Sequence, residues 1–458
     1  MNVSPYKNTQ YFSVICLISV IGLLGIWVLP NTIALRHVFL GIGFISSLAV
    51  IYKSNFFARR NFGDILPLFL LSLVFIWALV HYLFFSLNPN LELQELKSIW
   101  ARSLAGAVIA IGLSIALRIQ KDLRPWFFIS LFLVSWINLA AYFYLSYEEG
   151  RFILPSEFVW KFVFKKIEAA FFGVIAISIA CANLVNIMSQ KLDKKSIIYM
   201  ALWFLAITTA IISSLVANTK NGVAVALGLC VLLGLTLIYM ACFKAAASRM
   251  RIFIPVAIVC LMLLASWKVH VQFATQGWGT LIEDIQISSQ LDQHNFWRFN
   301  SPNWNKVHGE SFPTNSRGLP VAGNTYERVA WATQGMILIR QYPMGYGSIN
   351  RSFAGMLNHA GIRQELENQT HSGWIDFGLA FGIPGICIFL ILFSCIVYLG
   401  LRNNDQFGLM GTWLIIGFIP FGIIAEINYK HNFEILLFFI AFAAASSIRF
   451  KDPQKQFS

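Results

Sequence analysis

The amino-acid sequence predicts an all-α polytopic membrane protein with about twelve transmembrane helices and one long, partly helical loop between spans nine and ten. Hydrophobic residues make up 57% of the 458 residues and charged residues only 12%. The mean hydropathy of +0.66 lies far above that of soluble globular domains. The apolar residues also cluster into stretches of roughly 20 residues, the length that an α-helix needs to cross a bilayer.

These apolar stretches follow one another along the chain and are separated by polar or turn-forming residues. The predicted spans lie at Tyr11–Leu29, Ile33–Tyr52, Ile65–Phe85, Trp100–Leu117, Trp126–Leu145, Ala169–Met188, Ile197–Val216, Val223–Phe243, Ile252–Trp267, Trp374–Leu399, Phe407–Glu426 and Phe433–Ile448. We therefore expect spans one to nine in residues 1–268, the long loop in 269–373, and spans ten to twelve with a short tail in 374–458.

Lys and Arg residues are concentrated in alternate connections, which indicates the orientation of the spans. If the amino terminus is cytoplasmic, four consecutive cytoplasmic connections carry three basic residues each. Both termini are then cytoplasmic, and the long loop faces the periplasm or the cell exterior. This bias accounts for about half of the formal net charge of +13, so the charge does not indicate a nucleic-acid partner.

The cysteines predict neither a disulfide framework nor a metal site. All seven lie in apolar spans, and none lies in the long loop. No group of His and carboxylate residues has the spacing of metal ligands. We therefore expect no metal and no cofactor.

Arg328 is the first candidate site residue. Asn324 suits an N-cap, and Glu327 can complete a capping box with it, so we predict a loop helix over Thr325–Gln341. Arg328 then lies in the first turn, where the helix dipole disfavours a cation. Either it pairs with Glu327 or another loop carboxylate, or it binds an anionic ligand.

His371 is the second candidate, because it lies just before the predicted tenth span. Thr370 or Ser372 can cap that helix, and free backbone N–H groups at a helix start attract anions. With an unperturbed pKa of about 6.5, histidine is well suited to accept a proton near neutral pH. The alternative interpretation is a solvated polar residue at the membrane interface.

Lys220 is the third candidate, in the polar turn Ala217–Gly222 between spans seven and eight, on the same outer side as the long loop. It is interpreted either as an anion ligand or as a lysine that snorkels to the interface. Further candidates of secondary rank are Arg36, Arg102, Arg340, Tyr346 and Asp376.

Basic and aromatic residues alternate in the loop before the sixth span. Arg151, Lys161, Lys165 and Lys166 are interspersed with Phe152, Trp160, Phe162 and Phe164. This pattern predicts a short amphipathic helix on the membrane surface, in contact with anionic groups such as lipid phosphates.

Three motifs in the long loop resemble the O-antigen ligase and polymerase superfamily of bacterial envelope glycosyltransferases. They are Tyr326-Glu327-Arg328 followed by Trp331, the turn Tyr342-Pro343-Met344-Gly345-Tyr346-Gly347, and His371-Ser372-Gly373-Trp374 followed by Gly378, Gly382 and Gly385. The family pattern has an Arg in a loop helix, a Pro–x–Gly turn and a His before a Gly-containing span. The sequence departs from that pattern at Lys220, where the family usually has an essential Arg.

The resemblance implies a membrane glycosyltransferase of the bacterial inner membrane. Its donor is a glycan on polyprenyl pyrophosphate, and its acceptor is a sugar hydroxyl of the lipid A core. Arg328 and Lys220 are implied to neutralise the leaving pyrophosphate, and His371 to act as the general base. A single displacement inverts the anomeric centre without a metal ion.

Other functions are compatible with parts of this pattern. Within the same superfamily, the alternatives to an O-antigen ligase are an O-antigen or exopolysaccharide polymerase and a protein O-oligosaccharyltransferase. The length of the chain and the lack of a C-terminal soluble domain favour a ligase over the last of these. A polysaccharide transporter or flippase fits less well, because transporters commonly carry charged residues near the bilayer midplane.

Overall fold

The computed structural model describes residues 7–58, 60–161, 166–190, 193–243, 249–273, 280–294, 296–298, 313–362, 368–426 and 431–449. The regular structure of these ranges is helical. The helices are α1 (Lys7–Ile26), α2 (Ile33–Lys53), α3 (Phe62–Phe84), α4 (Pro89–Glu95), α5 (Ala101–Ile119), α6 (Arg124–Ser130), α7 (Leu133–Glu148), α8 (Pro155–Lys161), α9 (Lys166–Met188), α10 (Lys194–Val216), α11 (Lys220–Phe243), α12 (Arg249–Phe273), α13 (Leu281–Ser288), α14 (Gly323–Gln341), α15 (Ser352–His359), α16 (Gly373–Asn403), α17 (Gln406–Ile424) and α18 (His431–Ser447).

Ten helical segments of the described ranges are long and apolar enough to cross a membrane. Two shorter apolar helices, Pro255–Lys268 within α12 and His431–Ser447, lie where the ninth and twelfth spans are predicted. The fourth segment is longer than expected, because α4 continues through a π-helical turn into α5. The prediction of an all-α polytopic membrane protein is confirmed.

Two helices, α9 and α18, form the centre of the bundle. Every residue of α9 from Glu168 to Val185 is buried, and so is every residue of α18 from Asn432 to Ser447. At the end where α14 and α15 lie, here called the loop side, Nε2 of His431 bonds Oε1 of Glu168 at 2.6 Å. This bond ties the first turns of the two central helices together.

The start of α14 differs from the sequence prediction. The helix begins at Gly323 after Ala322, which makes no side-chain cap, so the N-cap predicted at Asn324 is wrong. Val321 and Tyr326 are instead both buried in one apolar cluster. They occupy the positions of a hydrophobic staple, whose packing sets where the chain enters the helix. As a result, Arg328 lies in the second turn of α14 and not in the first.

The motif Tyr342–Gly347 docks on a break in α16. At Gly382 the helix adopts φ 68°, which frees carbonyl groups, and a Cβ there would overlap the carbonyl of Pro343. The N–H of Tyr346 bonds the Leu379 carbonyl at 2.8 Å, and that of Gly347 bonds the Ala380 carbonyl at 2.7 Å. The motif is therefore a structural attachment of the loop to the tenth span.

A buried carboxylate fixes the residues that follow this motif. Glu95, at the end of α4, accepts hydrogen bonds from the hydroxyl of Ser348 at 2.7 Å, the N–H of Ile349 at 2.7 Å and the N–H of Asn350 at 3.1 Å. A carboxylate can be buried when several donors satisfy its oxygens. The loop is thus held from two sides, by α16 and by α4.

We expect cysteine labelling to verify the orientation derived from the Lys and Arg distribution. Asn358 in α15 and Ser189 after α9 are both exposed and lie on opposite sides in that orientation. In cells with a permeabilised outer membrane, Asn358→Cys should react with a membrane-impermeant thiol reagent and Ser189→Cys should not. The unmodified protein supplies the background of its native cysteines. Labelling of Ser189→Cys alone would reverse the orientation.

Candidate active site

The C-terminal end of α17 holds two of the candidate regions together. The Ile424 carbonyl accepts a hydrogen bond from Nη1 of Arg328 at 3.3 Å and from Nδ2 of Asn221 at 2.5 Å. The last carbonyls of a helix lack partners within the helix and are satisfied from outside. One carbonyl therefore links Arg328 on α14 to the residue that follows Lys220 on α11.

The next two residues of the same segment bind the region of His371. The N–H of Gly373 bonds the Ala425 carbonyl at 2.9 Å. The carboxylate of Glu426 bonds Nδ1 of His371. Ile424, Ala425 and Glu426 thus bring together three segments that are far apart in the sequence.

His371 is held in an uncommon backbone conformation. Its φ is 61°, a region that residues other than glycine adopt mainly where the surroundings impose it. Asp376 imposes it here, because Oδ1 accepts from the N–H of Thr370 at 2.7 Å and from the Thr370 hydroxyl at 2.9 Å. Trp331 stacks on the imidazole with the ring centroids 5.3 Å apart. Both the backbone and the ring of His371 are therefore fixed.

The environment of His371 favours the neutral imidazole. Burial of the ring and, after it, the positive charge of Arg328 lower the pKa of His371 to about 4. The negative charge of Glu426 favours the protonated ring. A neutral ring can nevertheless satisfy this carboxylate, because it carries one hydrogen on Nδ1 and donates it to Glu426. Glu426 thereby selects the tautomer whose lone pair lies on Nε2, which is the form able to accept a proton.

Arg328 is half-buried and retains its charge. Burial lowers the pKa of Arg328, and the neighbouring Glu327 raises it, but guanidinium groups stay protonated in proteins. In the part of the chain that the structure describes, Arg328 forms no ion pair with a carboxylate. A partly desolvated cation whose charge is not neutralised is suited to bind an anion.

The sequence predicted that Lys220 lies in a turn. In the structure it is instead the first residue of α11. Thr219 ends that turn, its hydroxyl bonding the Ser214 carbonyl at 3.0 Å. The side chain of Lys220 is exposed, and the backbone N–H groups of the first turn of a helix point towards any anion bound there. Lys220 therefore lies at a helix start that already favours negative charge.

Arg36 and Arg102 lie on the loop side, but their side chains bond to other residues of the helical bundle. Nε of Arg102 bonds Oε1 of Glu434 at 2.7 Å. Nε1 of Trp27 bonds Oε2 of the same carboxylate at 3.3 Å, and Nη1 of Arg36 bonds the Trp27 carbonyl at 3.2 Å. These contacts connect the ends of α1, α2, α5 and α18. The structure does not bring Arg36 and Arg102 to His371.

The other three secondary candidates have different surroundings. Arg340 is exposed and lies more than three turns along α14 from Arg328, about 18 Å at 1.5 Å per residue. The hydroxyl of Tyr346 accepts from Nδ2 of Asn88 at 3.2 Å, which anchors the docked motif. Asp376 supports His371 through Thr370, as described above. Only Asp376 of these three is connected to the site.

Two site residues were missed at the level of sequence. Glu426 is the carboxylate partner of His371, and Asn221 shares a carbonyl with Arg328. The position of Glu426, at the end of a predicted span, is a usable signal, because carboxylates at the edge of a membrane span are rare and commonly functional. No signal in the sequence singles out Asn221.

One comparison with known proteins found a match. Residues 204–390, which include Lys220, Arg328 and His371, match the family model described as O-antigen ligase. A search of curated proteins found no match. Members of the matched family are glycosyltransferase-like membrane enzymes. The match over residues 204–390 therefore supports the O-antigen ligase and polymerase superfamily, which the loop motifs resemble.

Proposed function

We propose that the protein is an O-antigen ligase that transfers a glycan from polyprenyl pyrophosphate to a sugar hydroxyl of the lipid A core. The observation that supports this function best is the convergence at the end of α17. There a neutral histidine bound to a carboxylate lies beside Arg328, and α11 begins with Lys220 close by. A base next to cations suits the displacement of a phosphate leaving group by a hydroxyl.

The cations act on the leaving group. As the bond between the anomeric carbon and the phosphate oxygen breaks, negative charge develops on the pyrophosphate. Arg328 and Lys220 are proposed to bind it, and because neither has a carboxylate partner in the described ranges, no ion pair must first be broken. Charges already in position stabilise such a transition state without reorganisation. This proposal assigns no role to a metal ion.

His371 acts on the acceptor. Its Nε2 is proposed to take the proton of the sugar hydroxyl while the hydroxyl oxygen bonds to the anomeric carbon. The negative charge of Glu426 then stabilises the imidazolium that forms. Because attack and departure take place on opposite faces of the sugar, the product has the inverted anomeric configuration. The proton leaves to solvent when the polyprenyl pyrophosphate is released.

The proposed location follows from the substrates. Polyprenyl-linked glycans and lipid A core are both anchored in the inner membrane, with their sugars in the periplasm. The loop side of the bundle would then face the periplasm, as the Lys and Arg distribution predicts, and both termini would be cytoplasmic.

Lipopolysaccharide from a deletion strain distinguishes a ligase from a polymerase. If the protein is the ligase, mass spectrometry should find lipid A core without O-antigen, and unligated polymer on polyprenyl pyrophosphate. Single repeat units attached to the core would instead identify a polymerase. A normal lipopolysaccharide with an unglycosylated protein would identify an oligosaccharyltransferase.

For the cations, we predict that Arg328→Ala abolishes transfer and that Arg328→Lys remains poor, because lysine lacks the bidentate geometry of a guanidinium. Lys220→Ala should be severely impaired, whereas Lys220→Arg should stay active because it keeps the charge. Arg340→Ala, on the same helix as Arg328, is the matched control and should transfer normally. The measurement is transfer by purified enzyme with lipid-linked donor and core acceptor, with chelator present. Normal transfer by Lys220→Ala would remove Lys220 from the site.

For the base, we predict that His371→Ala lowers the rate by roughly 10²–10⁴-fold, the usual contribution of positioned proton transfer. Protonated imidazole cannot accept a proton, so the wild-type rate should fall as the pH drops through the pKa of His371, which is lowered to about 4. The acid limb should therefore lie well below the ordinary histidine value of about 6.5. If His371→Gln keeps near wild-type activity with the same acid limb, His371 is not the base.

For Glu426, we predict that replacement by alanine lowers kcat by about 10- to 100-fold, with little change in the KM for donor. This factor corresponds to the free energy of a hydrogen bond to a charged group. Loss of the carboxylate should also shift the acid limb to lower pH, because the imidazolium loses its stabilising charge. Asp292→Ala, an exposed loop carboxylate, is the control. An unchanged pH profile in Glu426→Ala would leave Glu426 with a purely structural role.

A further inference from the structure

A further lysine begins a helix next to the site. Lys166 is the first residue of α9, and its side chain is exposed. The first turn of α11 is in close contact with the second turn of α9, because a Cβ on Gly222 would lie 2.6 Å from the Cβ of Ala170. Since α11 begins at Lys220, the two lysines start neighbouring helices at the same end of the bundle.

The position of the α9 start relative to the base is fixed by two contacts. Glu168, in the same turn as Lys166, is buried and bonds Nε2 of His431 at 2.6 Å. The next residue of α18, Asn432, donates from Nδ2 to the backbone carbonyl of Glu426 at 3.3 Å. The segment that carries Lys166 is therefore connected to the carboxylate that holds His371.

The positive charges of this region lie near one another. The positive charge of Lys166 interacts with the charges of Arg328 and Lys220. Within the ranges that the structure describes, Lys166 forms no ion pair with a carboxylate. Cations of like sign repel one another, and such a group is stabilised when an anion binds among them.

We propose that Lys166 is a third cation of the pyrophosphate site and binds the phosphate nearer to the lipid. This inference rests on the proposed function. Arg328 interacts with His371, so it belongs with the phosphate that carries the sugar. Lys166, like Lys220, begins a membrane span, so its ammonium group lies at the edge of the bilayer that holds the polyprenyl chain and is assigned to the phosphate attached to that chain.

A lipid headgroup offers the same phosphate chemistry, and the sequence pattern around Lys166 favoured it. Among the described residues, α8 ends at Lys161 and Lys166 belongs to α9, while residues 162–165 of that pattern lie outside the described ranges. A site for donor pyrophosphate should distinguish a diphosphate from a monophosphate. A headgroup contact should respond to the anionic lipid content of the membrane.

Binding of two probes by the purified full-length protein in lipid nanodiscs tests the proposal. The probes are undecaprenyl diphosphate and undecaprenyl monophosphate, titrated at two ratios of phosphatidylethanolamine to phosphatidylglycerol. Lys166→Gln should weaken diphosphate binding by about tenfold or more and monophosphate binding much less. The tenfold factor corresponds to the free energy of one charge-assisted hydrogen bond. Lys166→Arg should bind as wild type does. Lys194→Gln is the matched control, because Lys194 is an exposed lysine at the start of another span, α10.

Each other outcome overturns the proposal in a distinguishable way. If wild type and Lys166→Gln bind the diphosphate equally, Lys166 is not part of the site, and the proposed function stands. If the loss is equal for both probes, or follows the phosphatidylglycerol content, Lys166 contacts lipid headgroups. If wild type itself binds neither probe, the proposed function fails together with this inference. Normal binding by Lys166→Arg shows that the loss in Lys166→Gln does not come from misfolding.

Discussion

The site depends on the unsatisfied carbonyl groups at the end of α17. Ile424 and Ala425 accept hydrogen bonds from three segments that are distant in sequence: α11, α14 and the start of α16. Each bond has a net value of about 1 kcal/mol, but leaving a buried carbonyl unpaired costs about 1–3 kcal/mol. The end of α17 therefore holds these segments in place, and it brings His371 close to the proposed cations without a dedicated domain.

The long loop can contribute to this site because it is attached to the bundle at separate places. The turn Tyr342–Gly347 docks on the break of α16 at Gly382, and Glu95 fixes the residues just after it. The far end of the loop is set by Asp376 through Thr370. Ordering a loop costs conformational entropy for every residue, and these attachments oppose that cost. They also determine where α14 presents Arg328.

The cations of the bundle differ in whether a carboxylate compensates their charge. Arg102 and Arg118 are paired with Glu434 and Asp405 at 2.7 and 2.8 Å, so their charges are compensated within the bundle. Lys166, Lys220 and Arg328 gather at one place and have no such pairing in the described ranges. Uncompensated like charges reduce the stability of the folded state. Their persistence is understandable if an anionic substrate supplies the missing charge.

Local hydrophobicity alone determined the membrane-spanning helices, because a backbone can cross a bilayer only as a helix or a closed barrel. The sequence also singled out His371, Arg328 and Lys220 as candidates, since residue type and order are local properties. It did not reveal Glu426 as the partner of His371, or Lys166 as a neighbour of Lys220, because those proximities arise from packing between helices far apart in the chain. The start of α14 was likewise decided by the burial of Val321 and Tyr326, which outweighed the local capping signal at Asn324. Tertiary structure therefore decided which of the charged groups meet, because only packing brings together groups that the chain keeps apart.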